Sequence, residues 1–231
     1  DSMQFLFGTE WENATQREEK IAVKGDDTIR FFVKETRHGP VFNYALKGLE
    51  EIKDPLSLRW TFTKFPSMTL QATYTFSKAV RMEQFKEAVS WIHAPGLNIM
   101  YGDADGNIAW WTAAKMTRYP KGTDAKLFID GSSGLHEPDY YPFSDNPHSE
   151  NPPSGFVYSC NNQPDSLNGI FLKGYFYPDD RANRLNTLIS QKKIWSLEEI
   201  KAVQTDVTSS TKPAIAKEFT AVLRATSDYT T

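Results

Sequence analysis

Apolar and polar positions alternate through the first third of the chain. Ile21 and Val23 keep this period before Gly25-Asp26-Asp27, and Ile29, Phe31 and Val33 resume it afterwards. Alternation on both sides of a turn predicts a β-hairpin over 19–35. Thr36-Arg37-His38-Gly39-Pro40 then breaks the pattern. From 78 to 92 the spacing changes to three and four, with Met82, Phe85, Val89 and Ile92 on one stripe. That spacing predicts a helix, stopped by Pro95-Gly96. Alternation returns over 98–101 and 108–112, on either side of Asp103-Ala104-Asp105-Gly106-Asn107. A second hairpin with an Asp-Gly turn is expected there.

Gly, Pro, Ser and Asp dominate 117–154, which reads as loops, and Gly155 to Ser159 reads as a short apolar strand. Helical signals close the chain. Asp179 or Asp180 caps a helix carrying Ala182, Leu185, Leu188 and Ile189. Ser196 with Glu199 is a capping box, and Pro213 suits the first turn of a helix with Ile215, Phe219, Val222 and Leu223 on its face. Strands, helix, strands and helices in that order, with no βαβ repeat, make an α+β chain.

Composition removes several function classes. Aromatic residues reach 13% of the 231 residues, which favours β-rich packing or an aromatic-lined cleft. The net charge is −3 and no basic run occurs, so nucleic acid is not an expected partner. No apolar stretch reaches the roughly 18 residues of a membrane span. Cys160 is the only cysteine, which excludes an intrachain disulfide and a cysteine-based zinc site. His38, His93, His136 and His148 do not stand at metal-ligand spacing; His136 and His148 read as solvated loop histidines. Asp103, Asp105 and Asn107 superficially resemble a calcium loop. Their glycine is fourth rather than sixth, and the twelfth position is Ala114, so a hairpin turn is the reading.

Candidate chemistry is thin before 156. No Gly-x-Ser-x-Gly elbow occurs, and His38 reads as a strand-end histidine that satisfies backbone groups. At 156–163 an apolar run enters Cys160-Asn161-Asn162-Gln163, and Arg181 follows Asn161 by twenty residues. Side-chain amides at a strand end are N–H donors of the kind that stabilise an oxyanion in acyl transfer. An arginine at a helix start can orient such an amide or a substrate carboxylate.

Several blocks, in order, extend this. VKETRHGPV over 33–41, the helix and LNIMYGDADGN that follow Phe85, FSDNPHSENPP over 143–153, GFVYSCNNQP from Gly155, and DRANRL from Asp180 span nearly the whole chain. Together they resemble the penicillin acylase (penicillin amidase) family of N-terminal nucleophile hydrolases. The resemblance implies a single fragment, 1–231, of the middle of the large (beta) subunit, part of an αββα sandwich. It implies an amide hydrolase acting on N-acyl compounds: β-lactams with acyl side chains, acyl amino acids or acyl-homoserine lactones. In that family the nucleophile is a serine that becomes the first residue of the large subunit on self-cleavage. No matching start occurs here, and Ser2 is read as an ordinary serine. Asn161 matches the oxyanion asparagine and Arg181 the nearby arginine. Leu97 matches an apolar acyl-pocket position, and Tyr74 or Thr73 an aromatic one.

The small subunit and the rest of the large subunit would be the partners, with a periplasmic or secreted location. The family's calcium site would need a ligand near Asn168 or Gly169, neither acidic, so no metal or other cofactor is expected. The alternative is a non-catalytic binding or scaffold module with an aromatic cleft.

Overall fold

The computed structural model describes residues 3–166 and 169–226; Ser2 and Asn168 fall outside them. The described residues form short antiparallel sheets and six α-helices, the α+β mixture expected. They divide into two compact units. One comprises 1–97 and 113–144, the other 98–112 and 145–231.

In the first unit β1 (Gln4–Phe7) pairs with β2 (Glu10–Asn13). Next, β3 (Thr15–Ile21) pairs with β4 (Ile29–Thr36) in the register Ile21↔Ile29, which is the expected hairpin extended back to Thr15. Its turn uses Gly25 at φ +80, a left-handed conformation that costs glycine little. β4 then pairs with β5 (Gly39–Pro40). Helix α1 (Thr61–Lys64) is one turn long, and α2 (Thr69–Phe76) packs on α3 (Met82–Ser90).

The stripe read over 78–92 is confirmed in its facing but not in its start. Val89 and Ile92 are buried, and Phe85 stacks on Phe76 with ring centroids 4.2 Å apart. The helix begins at Met82 because 77–79 close α2: the N–H groups of Ser77 and Ala79 donate back to Thr73 and Thr75. Arg81 is extended, at φ −147 and ψ 154. α2 itself has no pattern in the sequence. Its three threonines are poor helix formers, and the helix is held by burial of Ala72 and the stacking of Phe76 on Phe85 rather than by propensity.

The second unit contains most of the three-stranded sheet in which β7 (Ile108–Ala113) lies between β6 (Leu97–Gly102) and β10 (His148–Glu150). Trp111 on β7 is buried, and its indole N–H donates to Glu150 at 2.7 Å. The β6–β7 turn is a hairpin turn as expected. Asp103 Oδ1 accepts from the N–H groups of Asp105 and Asn107, and Oδ2 accepts from Asn107 Nδ2 and the Tyr101 hydroxyl. These donors hold the Asp103 carboxyl below its ordinary pKa, led by the Asn107 side chain. Two short strands of the first unit, β8 (Thr117–Arg118) and β9 (Asp139–Tyr140), pair within the loop region.

The remaining helices are α4 (Asp180–Ile189), α5 (Leu197–Gln204) and α6 (Lys212–Ala225). The Ser196/Glu199 capping box is formed, and Pro213 lies in the first turn of α6. Two expectations fail. Residues 156–159 form no strand, because no ladder partner lies beside them among the described residues. His148 is not a loop residue: it lies in β10 opposite Trp111, with Nδ1 2.8 Å from the Asn146 carbonyl.

Gly39 gives a test of the first unit. It is buried at φ +139, and a Cβ there would lie 2.1 Å from the Leu58 carbonyl oxygen. Gly39→Ala should destabilise the protein by about 1–3 kcal/mol from backbone strain alone. Urea unfolding measures this, and an unchanged midpoint would contradict the geometry.

Candidate active site

The 160–181 region is where separated polar groups meet. The chain turns sharply at Asn161, a non-glycine residue at φ +60. Asparagine is among the few residues that take this left-handed conformation readily. The turn is tied on each side: Asn161 N–H donates to Ser159 Oγ at 3.3 Å, and its carbonyl accepts from Tyr177 N–H at 3.0 Å. Asn162 and Tyr177 form a parallel bridge beside it.

Arg181, in the first turn of α4, closes the arrangement. Its Nη2 donates to Asn161 Oδ1 at 3.0 Å and to the Cys160 carbonyl at 2.5 Å. Its guanidinium also lies over the Tyr177 ring, 5.1 Å from the centroid. A guanidinium has donors and no acceptor, so only the amide oxygen of Asn161 can face it. The amide Nδ2 is thereby left for another partner, and it has none among the described residues. The neighbouring Asn162 is used differently. Its oxygen accepts from Cys160 N–H and its nitrogen donates to the Gln163 carbonyl, so it serves the turn.

Asn161 and Arg181 are therefore brought together, both exposed at the surface of their unit. Tyr177, which fastens Asn161 and lies under Arg181, carried no signal in the sequence. Cys160 is buried, and burial pushes its thiol above its ordinary pKa despite the opposing charge of Arg181. A thiol kept protonated is a poor nucleophile.

The other candidates lie elsewhere. Tyr74 and Thr73 are on α2 in the first unit, and Leu97 opens β6. Tyr74 is 68% exposed and lines a shallow groove with Met68, Leu70, Gln71, Thr75 and Trp91. Thr73 does not line it; its hydroxyl donates back to the Thr69 and Leu70 carbonyls, at 2.6 and 3.0 Å. His38 satisfies the Gly131 carbonyl through Nε2 at 3.0 Å and meets Glu137 through Nδ1 at 3.1 Å. That is the backbone-satisfying role expected of it. No group of three or more His, Cys, Asp or Glu side chains that could hold a metal occurs among the described residues. Gly169 offers no side-chain ligand.

The family model for penicillin amidase matches residues 1–230. The chain belongs to the penicillin amidase family. It is 32% identical over 186 residues to an acyl-homoserine lactone acylase, QuiP, of Pseudomonas fluorescens, covering 79% of this chain and 22% of that protein. It is 26% identical over 211 residues to the penicillin acylase 2 proenzyme of a Pseudomonas species, covering 88% of this chain and 26% of that protein. The structure aligns with a thermostable penicillin G acylase from Alcaligenes faecalis at a TM-score of 0.77 and 24% identity. That alignment covers 98% of this chain and 41% of the other, and it shows that the chain shares the fold of part of that acylase. The chain spans about a quarter of the length of the curated relatives it matches.

The backbone at Asn161 makes one prediction independent of catalysis. Asn161→Ala and Asn161→Gly both remove the amide, but only glycine keeps the left-handed turn free of strain. Asn161→Gly should be the more stable of the two by about 1 kcal/mol. Thermal melting of both variants checks this; equal stability would mean that the turn relaxes.

Proposed function

We propose that this chain supplies the oxyanion-binding segment of an amidohydrolase that cleaves N-acyl compounds, with Asn161 as the side-chain donor. The observation that carries the reading is the Nδ2 of Asn161, which has no partner among the described residues and is oriented by an arginine that can bond only to the amide oxygen. The nucleophile in this reading is an N-terminal serine outside residues 1–231, whose α-amino group takes the hydroxyl proton as the oxygen attacks the amide carbonyl. The carbonyl oxygen gains negative charge as the tetrahedral intermediate forms. Asn161 Nδ2–H then donates to an acceptor stronger than the ground-state carbonyl, which is the differential binding that catalysis requires. Arg181 acts through Asn161 by holding its amide.

The substrate class is N-acyl compounds, with acyl-homoserine lactones and acylated β-lactams as the two forms suggested by the names of the relatives. Tyr74 and the groove it lines, with Leu97, are the candidate contacts for an acyl chain, and Thr73 contributes backbone to the same helix. The partners are the remaining parts of the same precursor. Ile215, Phe219 and Val222 on α6 are each at least half exposed, which marks an apolar face suited to cover by another protein segment. No helix among the described residues is long and apolar enough to cross a membrane.

In the complete precursor, Asn161→Ala should lower turnover by about a hundred- to a thousandfold with little change in KM, the usual effect of losing one oxyanion donor. A chromogenic phenylacetyl or fatty-acyl amide serves as substrate. Residues 1–231 alone should show no turnover of it. Near-normal turnover by the Asn161→Ala precursor would refute the assignment, and turnover by the isolated chain that is abolished by Ser2→Ala would refute the external nucleophile. The mature protein should be found in the periplasm or medium on cell fractionation; a wholly cytoplasmic mature enzyme would contradict export.

A further inference from the structure

Asp180 stands beside Arg181 in the sequence and holds a different part of the chain. Its Oδ1 accepts from the N–H groups of Ser210 and Thr211, both at 2.9 Å. The hydroxyls of Ser209, Ser210 and Thr211 lie 3.0, 3.0 and 2.9 Å from the same oxygen. The Ser210 hydroxyl is also 3.1 Å from the Asp180 carbonyl. The whole segment leading into α6 thus closes around one carboxylate. A negative charge at the start of a helix is electrostatically favourable, and Thr211, the N-cap of α6, makes no side-chain cap bond of its own.

The first turn of α4 needs such an external hold. Its N-cap, Asp179, makes no side-chain capping bond, so the local hold on the turn that carries Arg181 is the backbone bond from Asn183 N–H to the Asp179 carbonyl at 2.7 Å. One turn further on, Arg184 grips Asp206 with two hydrogen bonds, at 3.1 and 2.6 Å. The 206–211 segment therefore grips α4 at two points four residues apart, on one face of the helix. Arg181, projecting from the same turn, reaches the other way, to Asn161 and Cys160.

We infer that Asp180 is a positioning residue for the oxyanion site: by clasping the 209–211 segment it fixes the first turn of α4, and through Arg181 it sets the orientation of the Asn161 amide. This rests on the reading of Asn161 given above. The Thr211 side chain, followed by the Ser210 and Ser209 donors, brings the Asp180 carboxyl down from 3.8 to about 2. The sign follows from a depressed carboxylate: the clasp is complete above about pH 4 and is lost as pH falls through 2. It is intact over the range in which an amidase with an amine base operates.

The test is a double-mutant cycle on the complete precursor, with kcat and KM measured for Asp180→Ala, Asn161→Ala and the pair. A positioning role predicts that Asp180→Ala lowers kcat by about ten- to a hundredfold at nearly constant KM. It further predicts that adding Asp180→Ala to Asn161→Ala lowers kcat by less than about threefold, because the group it positions is already gone. Asp180→Asn keeps an oxygen acceptor in place and should recover part of the loss. It also serves as the test should Asp180→Ala fail to fold. A wild-type kcat in a folded Asp180 variant, or losses in the two single variants that multiply in the pair, would overturn the inference while leaving Asn161 in its role. A normal kcat for Asn161→Ala would remove both assignments.

Discussion

The bond from Arg181 to the Asn161 amide oxygen is the constraint around which the candidate site is arranged. The guanidinium carries only donors, so it gathers oxygens: the amide Oδ1 and the Cys160 carbonyl, both from the same turn. Each bond removes a freedom that the turn would otherwise have. The Cys160 contact fixes the peptide before Asn161, Tyr177 N–H fixes the peptide after it, and the Oδ1 contact fixes the side chain. An amide with its oxygen bound to a cation presents its N–H groups in one direction. Such preorganisation is what makes a donor useful to a developing oxyanion, since nothing has to rotate as the charge appears.

Local signals were legible where the sequence holds a regular period or a specific turn residue. The β3–β4 hairpin, the Asp103–Asn107 turn, the Ser196 capping box and the α6 start all follow from such signals. α2 was not legible because Thr69, Thr73 and Thr75 argue against a helix, and the packing that favours one, of Ala72 and of Phe76 on Phe85, leaves no period in the sequence. The apolar run 156–159 misled for a different reason. A strand is defined by its partner, and an isolated run of Phe, Val and Tyr carries no information about whether a partner is present. His148 escaped because its strand is three residues long and its pairing with β7 spans a loop of thirty-odd residues.

The site was legible in part. Asn161 and Arg181 were found from residue type and spacing together with the family resemblance, and the structure puts them in contact. Tyr177 and Asp180 were not found. Tyr177 fastens Asn161 through a backbone N–H, which any residue but proline could supply, so that contact leaves no mark on the residue type. Asp180 had an obvious local reading as a helix cap, and that reading hid its bonds to residues thirty positions away. The proposed acyl-binding surface is less legible still. Tyr74 projects from one helix into a shallow groove, and a pocket assembled from separate segments leaves no period in any of them.

The identity of residue 161 is constrained twice, by backbone and by chemistry. A φ of +60 selects for glycine, asparagine and aspartate and against nearly all other side chains. Glycine would take the turn with least strain but would leave Arg181 only the Cys160 carbonyl as acceptor and would offer no side-chain donor to the proposed oxyanion. Aspartate would bind Arg181 more strongly as an ion pair, yet a carboxylate has no N–H and would repel the negative charge of the proposed oxyanion. Asparagine alone combines tolerance of the left-handed turn with an acceptor on one side and a donor on the other. Glutamine has the same functional group on a longer chain, but it lacks the local backbone hydrogen bonding that makes the left-handed region accessible to asparagine. The same turn that excludes it from the backbone would also move its amide about one bond length away from Arg181. The backbone requirement and the chemical requirement are independent, and their intersection is the residue found there.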